Sequence, residues 1–153
     1  MRAISLWEPY ASLIRTGAKT WETRSWATHY RGPLLICAAK GGLKKPELIS
    51  KLSQWHFQGG LAPLIGKSLE LSGYTNWPGV KISDLNFGMA VAVVELIHCI
   101  PTFAVSGLNP GGPLYETFFG DFHNGRYAWK LKLIEAIKPF PVKGRQGFFE
   151  VKI

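Results

Sequence analysis

Hydrophobic and polar positions change period several times along this chain, and each change marks an element. Tyr10, Leu13 and Ile14 recur at helical spacing behind Pro9, whose missing N–H costs nothing at a first helical position, and Gly17 offers a left-handed stop. The spacing predicts a two-turn helix over roughly residues 9–16. From Thr20 to Trp26 the β-branched and aromatic content predicts a strand, with Thr20, Glu22, Arg24 and Trp26 on one face and Trp21, Thr23 and Ser25 on the other. Glu22 and Arg24 therefore lie side by side. Lys19 sits at the preceding turn with the opposite parity, so whether it joins them depends on a bend that the alternation leaves open.

Leu34 to Ala39 is apolar without interruption, as expected of a strand buried on both sides, and it stops at Lys40-Gly41-Gly42. Pro46 and Glu47 then open a second helix carrying Leu48, Leu52 and Trp55 along one side. Glycine and proline recur over residues 59–86 without a sustained period, which predicts a long loop. Gly88 to Ile100 is the clearest strand; Pro101 stops it and Glu95 is its one acidic residue. Leu114, Tyr115, Phe118 and Phe119 suit a short helix between Pro113 and Gly120. Tyr127, Trp129, Leu131 and Leu133 alternate with Ala128, Lys130 and Lys132 in a half-buried strand, and Phe148 to Ile153 supplies a last one. Between these two, Pro139 to Gly147 forms a basic loop whose glycines let backbone approach a ligand.

Strands not separated by regular crossover helices indicate an α+β fold, a mixed or mostly antiparallel sheet curled into a β-barrel and flanked by helices. Residues 1–153 are read as a single domain, a length that buries a sizeable core. Six Trp, five Tyr and nine Phe in a chain that is 46% hydrophobic argue against disorder. No apolar run reaches the roughly 18 to 20 residues of a membrane span, and the start lacks a secretory pattern, so no membrane partner and a cytoplasmic location are expected.

Cys37 and Cys99 fall inside apolar strand-like runs and read as reduced thiols, while His29, His56, His98 and His123 make no ligand spacing. No metal and no cofactor are expected. Eighteen Lys and Arg against ten Asp and Glu leave a formal charge of +8, an excess that concentrates polyanions and makes nucleic acid the natural partner class. The cations also stand beside aromatic residues, as in Lys19-Thr20-Trp21, Arg24-Ser25-Trp26 and Tyr30-Arg31.

Two stretches carry a resemblance to a known family. Ser5-Leu6-Trp7-Glu8-Pro9-Tyr10-Ala11-Ser12-Leu13 is followed by Gly17-Ala18-Lys19-Thr20-Trp21-Glu22-Thr23-Arg24-Ser25-Trp26, which has the form Gly-x-Lys-x-x-Glu-x-Arg. Tyr30-Arg31-Gly32-Pro33-Leu34, Tyr127-Ala128-Trp129 and Pro141-Val142-Lys143-Gly144-Arg145-Gln146-Gly147 continue the match, whereas residues 59–86 and 104–124 match least. The pattern resembles the ASCH (activating signal cointegrator homology) domain, a branch of the PUA-like superfamily. That resemblance implies a PUA-like mixed β-barrel with a cleft lined by the signature residues. It also implies a role in binding RNA or other single-stranded nucleic acid, with a protein partner as a further option in a transcription or RNA-processing assembly.

On that reading Arg24 forks towards a phosphate or base edge with Glu22 orienting it, Lys19 contacts phosphate, and Trp7, Trp26 and Tyr30 offer stacking faces. Arg31, Lys40, Lys143, Arg145 and Gln146 complete the nucleic-acid-binding set as a basic rim. Some small family members are amidohydrolases acting on acylated cytidine with a Lys, a Thr and a Glu, and related ones have been proposed as ribonucleases. Here Glu22 occupies the position three residues after Lys19 where that branch has Thr; Lys19 and Glu22 are the catalytic candidates of this enzyme alternative.

Overall fold

The computed structural model describes residues 1–42, 44, 46–47, 85–108 and 119–153. Seven strands form one mixed sheet: β1 (Arg2–Leu6), β2 (Trp21–Arg24), β3 (Gly32–Ala38), β4 (Met89–Pro101), β5 (Tyr127–Glu135), β6 (Phe140–Pro141) and β7 (Phe149–Glu150). Their order is β2-β5-β4-β3-β1-β7, with β6 also on β4. Only β1 and β3 run parallel; every other pairing is antiparallel. The sheet is curled into a half-barrel, open between β2 and β7 among the described residues, which agrees with the expected mixed sheet curled into a barrel as far as the curl.

The helical cover is slighter than the flanking helices expected: α1 (Tyr10–Arg15) and α2 (Thr102–Leu108) are the helices with described extent. The helix expected from Pro46, the loop over 59–86 and the helix between Pro113 and Gly120 lie outside the described residues apart from a few flanking positions. Among the described residues no helix is long and apolar enough to cross a membrane.

The uninterrupted apolar run of β3 is explained by burial on both faces. Leu34, Ile36 and Ala38 join Ile4, Leu6, Ala11, Ile14 and Trp129 in the larger core beneath α1, while Leu35 and Cys37 face Ala3 and Ala90 on the other side. Burial pushes the Cys37 thiol up to about 12, so it stays protonated and inert. Arg2–Leu6 escapes a sequence reading because it is only five residues long with no regular alternation, and its parallel pairing with β3 (Ala3 with Leu35, Ser5 with Cys37) is a long-range fact. β5 and β4 are longer than any other strands and carry Ala128 to Glu135 across the middle of the sheet.

Glu8 organises the start of α1. Its carboxylate accepts the Ser12 N–H at 3.1 Å and the Ser12 hydroxyl at 2.9 Å, and also the Asn86 N–H at 3.0 Å from the segment leading into β4. A first-turn donor that lacks an intrahelical partner is thereby satisfied, and the helix is tied to a distant segment. Pro9 precedes the helix, across a cis peptide from Glu8, and Gly17 ends it at φ +78°, donating to Ile14 O at 3.0 Å. The chain then turns so that Lys19 N–H meets Leu13 O at 3.1 Å, the bend that aims Lys19 inward.

The loop between β6 and β7 is held over β1 by a close approach. A Cβ built on Gly144 would lie 2.4 Å from Ser5 Oγ, so any larger residue there forces the Ser5 hydroxyl or the loop to move. Val142 N–H donates to Gly88 O at 2.9 Å and fixes the other end of the loop to the start of β4. We expect Gly144→Ala to lower stability by about 1 to 3 kcal/mol or lift the loop. Adding Ser5→Ala, which removes the clashing oxygen, recovers most of that loss in denaturant unfolding.

Burial raises the Glu8 carboxyl above its ordinary 4.5, with the hydrogen bonds from Asn86 and Ser12 and the charge of Arg15 pulling it partly back. The folded chain therefore keeps this proton to higher pH than the unfolded chain does. The contribution of Glu8 is most favourable below 4.5 and declines as pH rises from there through the raised folded value. Wild-type protein is predicted to lose stability relative to Glu8→Gln as pH climbs through that window, and the difference to level off above it. Urea unfolding of both proteins at a series of pH values checks the sign.

Candidate nucleic-acid interface

The strand β2 presents Glu22 and Arg24 on the same face, as its alternation predicts, and the bend after α1 brings Lys19 to them. Lys19 Nζ lies 3.4 Å from Glu22 Oε2, and Arg24 Nε lies 3.2 Å from Glu22 Oε1. The three charges run from interior to surface. Lys19 is sealed, Glu22 is slightly exposed and Arg24 is 22% exposed. A buried ammonium needs full compensation, and Lys19 also donates to the backbone carbonyls of Trp21 and Phe119. Arg24 is anchored at its other side, one terminal nitrogen donating to Ser5 O at 2.9 Å.

The Phe119 carbonyl belongs to the segment leading into β5, so Lys19 ties that segment to β2. Asp121 N–H repeats the tie by donating to Thr23 Oγ1 at 3.1 Å, and the Thr102 hydroxyl at the start of α2 holds the segment from another side by donating to His123 O at 2.8 Å. The segment thereby becomes a wall. Between it and β1–β2 opens a hollow of about 840 Å³ lined by Ser5, Trp7, Tyr10, Glu22, Thr23, Arg24, Phe122, Asp121, His123 and Arg126 among others. A second hollow, of about 1140 Å³, adjoins it and shares Ser5, Trp7 and Arg24. Its remaining lining includes Trp26, Lys40, Lys143, Arg145 and Gln146. The two form one cleft with Trp7 and Arg24 at the junction.

The residues singled out from sequence divide accordingly. Glu22, Arg24, Trp26, Lys40, Lys143, Arg145 and Gln146 line the cleft. Lys19 does not; it lies beneath, because the bend after Gly17 turns its side chain into the core. Tyr30 and Arg31 line neither hollow. Tyr30 packs against Phe148 at 5.6 Å with the Arg2 guanidinium 4.3 Å from its ring centre, and Arg31 donates to Thr28 O and Tyr30 O. Trp26 borders the second hollow, but its ring stands edge-on to Trp129 at 4.6 Å and to Phe148 at 5.2 Å. Trp7, by contrast, is 53% exposed at the junction, which makes it the better stacking face.

Asp121, His123 and Arg126 were not picked out in the sequence. The His123 ring lies 2.6 Å from Asp121 Oδ1 and Arg126 Nε lies 3.3 Å from Oδ2. The hydrogen bond from His123 holds the exposed Asp121 carboxyl below the usual range. The local signal was an Asp whose side chain accepts the N–H two residues on, here His123 at 3.1 Å, just before a strand. No periodicity links that turn to Arg24. Among the described residues no group of three or more His, Cys, Asp or Glu side chains gathers to hold a metal ion.

Comparison with known proteins identifies the family. The ASCH domain family model matches residues 4–138, a span containing Lys19, Glu22, Arg24 and the wall at 119–126. Activating signal cointegrator 1 of Mus musculus is 34% identical over 97 residues, which is 63% of this chain and 14% of that protein. The match thus takes in only a small part of that much longer relative. With the family model extending over most of the sequence and a mostly β, curled sheet carrying the signature side chains, the chain belongs to the ASCH domain family.

Proposed function

We propose that this ASCH domain binds RNA or another single-stranded nucleic acid in the cleft between β1–β2, the 119–126 wall and the 143–147 loop. The observation that carries the reading is Arg24: a guanidinium at the junction of two hollows, oriented by Glu22 at 3.2 Å and by Ser5 O at 2.9 Å, beside an exposed Trp7. An arginine held on two sides loses little freedom when it meets a phosphate or a base edge, and an exposed indole offers a face that any base can use. The formal charge of +8 supplies the attraction at longer range. An unpaired or modified nucleotide suits a cleft with a walled pocket better than a regular duplex does.

The hydrolase alternative draws less support. An amine acting as base must reach the substrate, and Lys19 has no exposed side-chain surface and is committed to Glu22 and to the carbonyls of Trp21 and Phe119. A role in a protein assembly is favoured by a separate observation, the likeness to a mouse protein called a cointegrator, of which this match covers 14%.

The test is affinity for a short single-stranded RNA against salt. We expect log K to fall linearly with log salt concentration, with a slope of about −0.7 for each phosphate contacted. Arg24→Ala should weaken binding by roughly tenfold to a hundredfold, the loss of about 1.5 to 3 kcal/mol for a charge-assisted contact. Absent or salt-independent binding contradicts the proposal; a protein-assembly role would leave RNA unbound by wild type and variant alike.

A further inference from the structure

The two halves of the cleft differ sharply in charge. In the hollow walled by residues 119–126 each formal charge faces an opposite one: Glu22 pairs with Arg24 at 3.2 Å, and Asp121 pairs with Arg126 at 3.3 Å. Paired charges with Trp7, Tyr10 and Phe122 around them make a polar but nearly neutral chamber with aromatic walls. In the other hollow Lys40, Lys143 and Arg145 join Arg24, and no carboxylate lines it among the described residues. The cations there are exposed, and Gly41 and Gly147 border the same space with nothing within 4 Å of where a Cβ would stand. That hollow is therefore roomy and uniformly positive.

Resting on the reading of this cleft as a nucleotide site, we propose that it divides its ligand: base and ribose occupy the neutral chamber, phosphate occupies the cationic hollow, and the chain crosses between them at Trp7 and Arg24. The ligand class that follows is a nucleotide carrying at least one phosphate, as a phosphodiester or a terminal phosphate. A free nucleoside fills only half the site. The physical reason is desolvation. A phosphate moved into a chamber that already contains Glu22 and Asp121 meets two carboxylates, whereas in the second hollow it meets cations alone. A base has no charge to satisfy and gains from indole and phenol faces and from paired polar groups that read its edges. Arg24 serves both halves because Glu22 and Ser5 O hold it at the boundary.

The Gly144 contact gives this division its geometry. Lys143 and Arg145 flank the residue that rests on Ser5, so the same close approach positions their backbone. The loop carries the phosphate half and β1 carries the junction.

Fluorescence anisotropy tests the division with two RNA trinucleotides of one sequence, one with natural phosphodiester links and one with uncharged methylphosphonate links, at a single ionic strength. The wild-type protein is expected to favour the natural trinucleotide by roughly tenfold or more. Lys143→Ala/Arg145→Ala should bring that ratio towards one, the loss falling mainly on the natural trinucleotide. Lys138→Ala/Lys152→Ala removes the same charge from exposed positions elsewhere and should leave the ratio intact. A ratio that survives loss of Lys143 and Arg145, or that falls equally in the control, overturns the division while the nucleotide reading stands. Failure of wild-type protein to bind either trinucleotide removes that underlying reading together with the division.

Discussion

The buried ammonium of Lys19 is the constraint on which the site depends. An unpaired charge in that position would be prohibitive, and the chain meets it with Glu22 at 3.4 Å and the carbonyls of Trp21 and Phe119. Each partner has a consequence. Glu22 is fixed near the surface, where it can hold Arg24; Phe119 is fixed against β2, so the segment after it forms a wall. A lysine read from sequence as a ligand contact thus acts as the internal strut of the cleft. The spacing Lys-x-x-Glu-x-Arg makes sense as a chain of charge from core to solvent, with the last member reaching the cleft.

Glu8 plays a comparable part for the helix. It is buried among donors, accepting from Ser12 twice and from Asn86 once, and its cost of burial is accepted where it joins α1 to the approach to β4. Two ionic side chains of the opening segments are therefore structural, and Trp7, immediately before Glu8, is left exposed at the junction of the two hollows. The polar signature is divided between residues that build the cleft and residues that line it.

Much of this was legible in the sequence, for identifiable reasons. The continuous apolarity of Leu34–Ala38, the alternation of Tyr127–Leu133 and the shared face of Glu22 and Arg24 are local periodicities, and the strands and pairing follow them. β1 was not legible, because its five residues become a strand by pairing with β3 across the chain. The sheet's half-barrel form depends on such pairings and not on any one segment. In the site, the placement of Lys143 and Arg145 near Arg24 followed from family pattern. The wall bearing Asp121, His123 and Arg126 did not, since hydrogen bonds to Thr23 and Thr102 bring it there and no spacing announces them. Tyr30 and Arg31 follow the aromatic-cation pattern yet pack away at Phe148 and Thr28, which shows that adjacency in sequence does not fix which wall a side chain joins.

Under the proposed function, Arg24 and Trp7 meet nucleic acid where the hollows join. Side-chain NMR resolves this directly, through the Nε–H of Arg24 and the indole N–H of Trp7 followed while short single-stranded RNA is added. These two signals are expected to shift together and saturably, with the amides of residues 143–147 following. Shifts confined to other faces of the sheet, with Arg24 and Trp7 unmoved at saturation, would contradict that function.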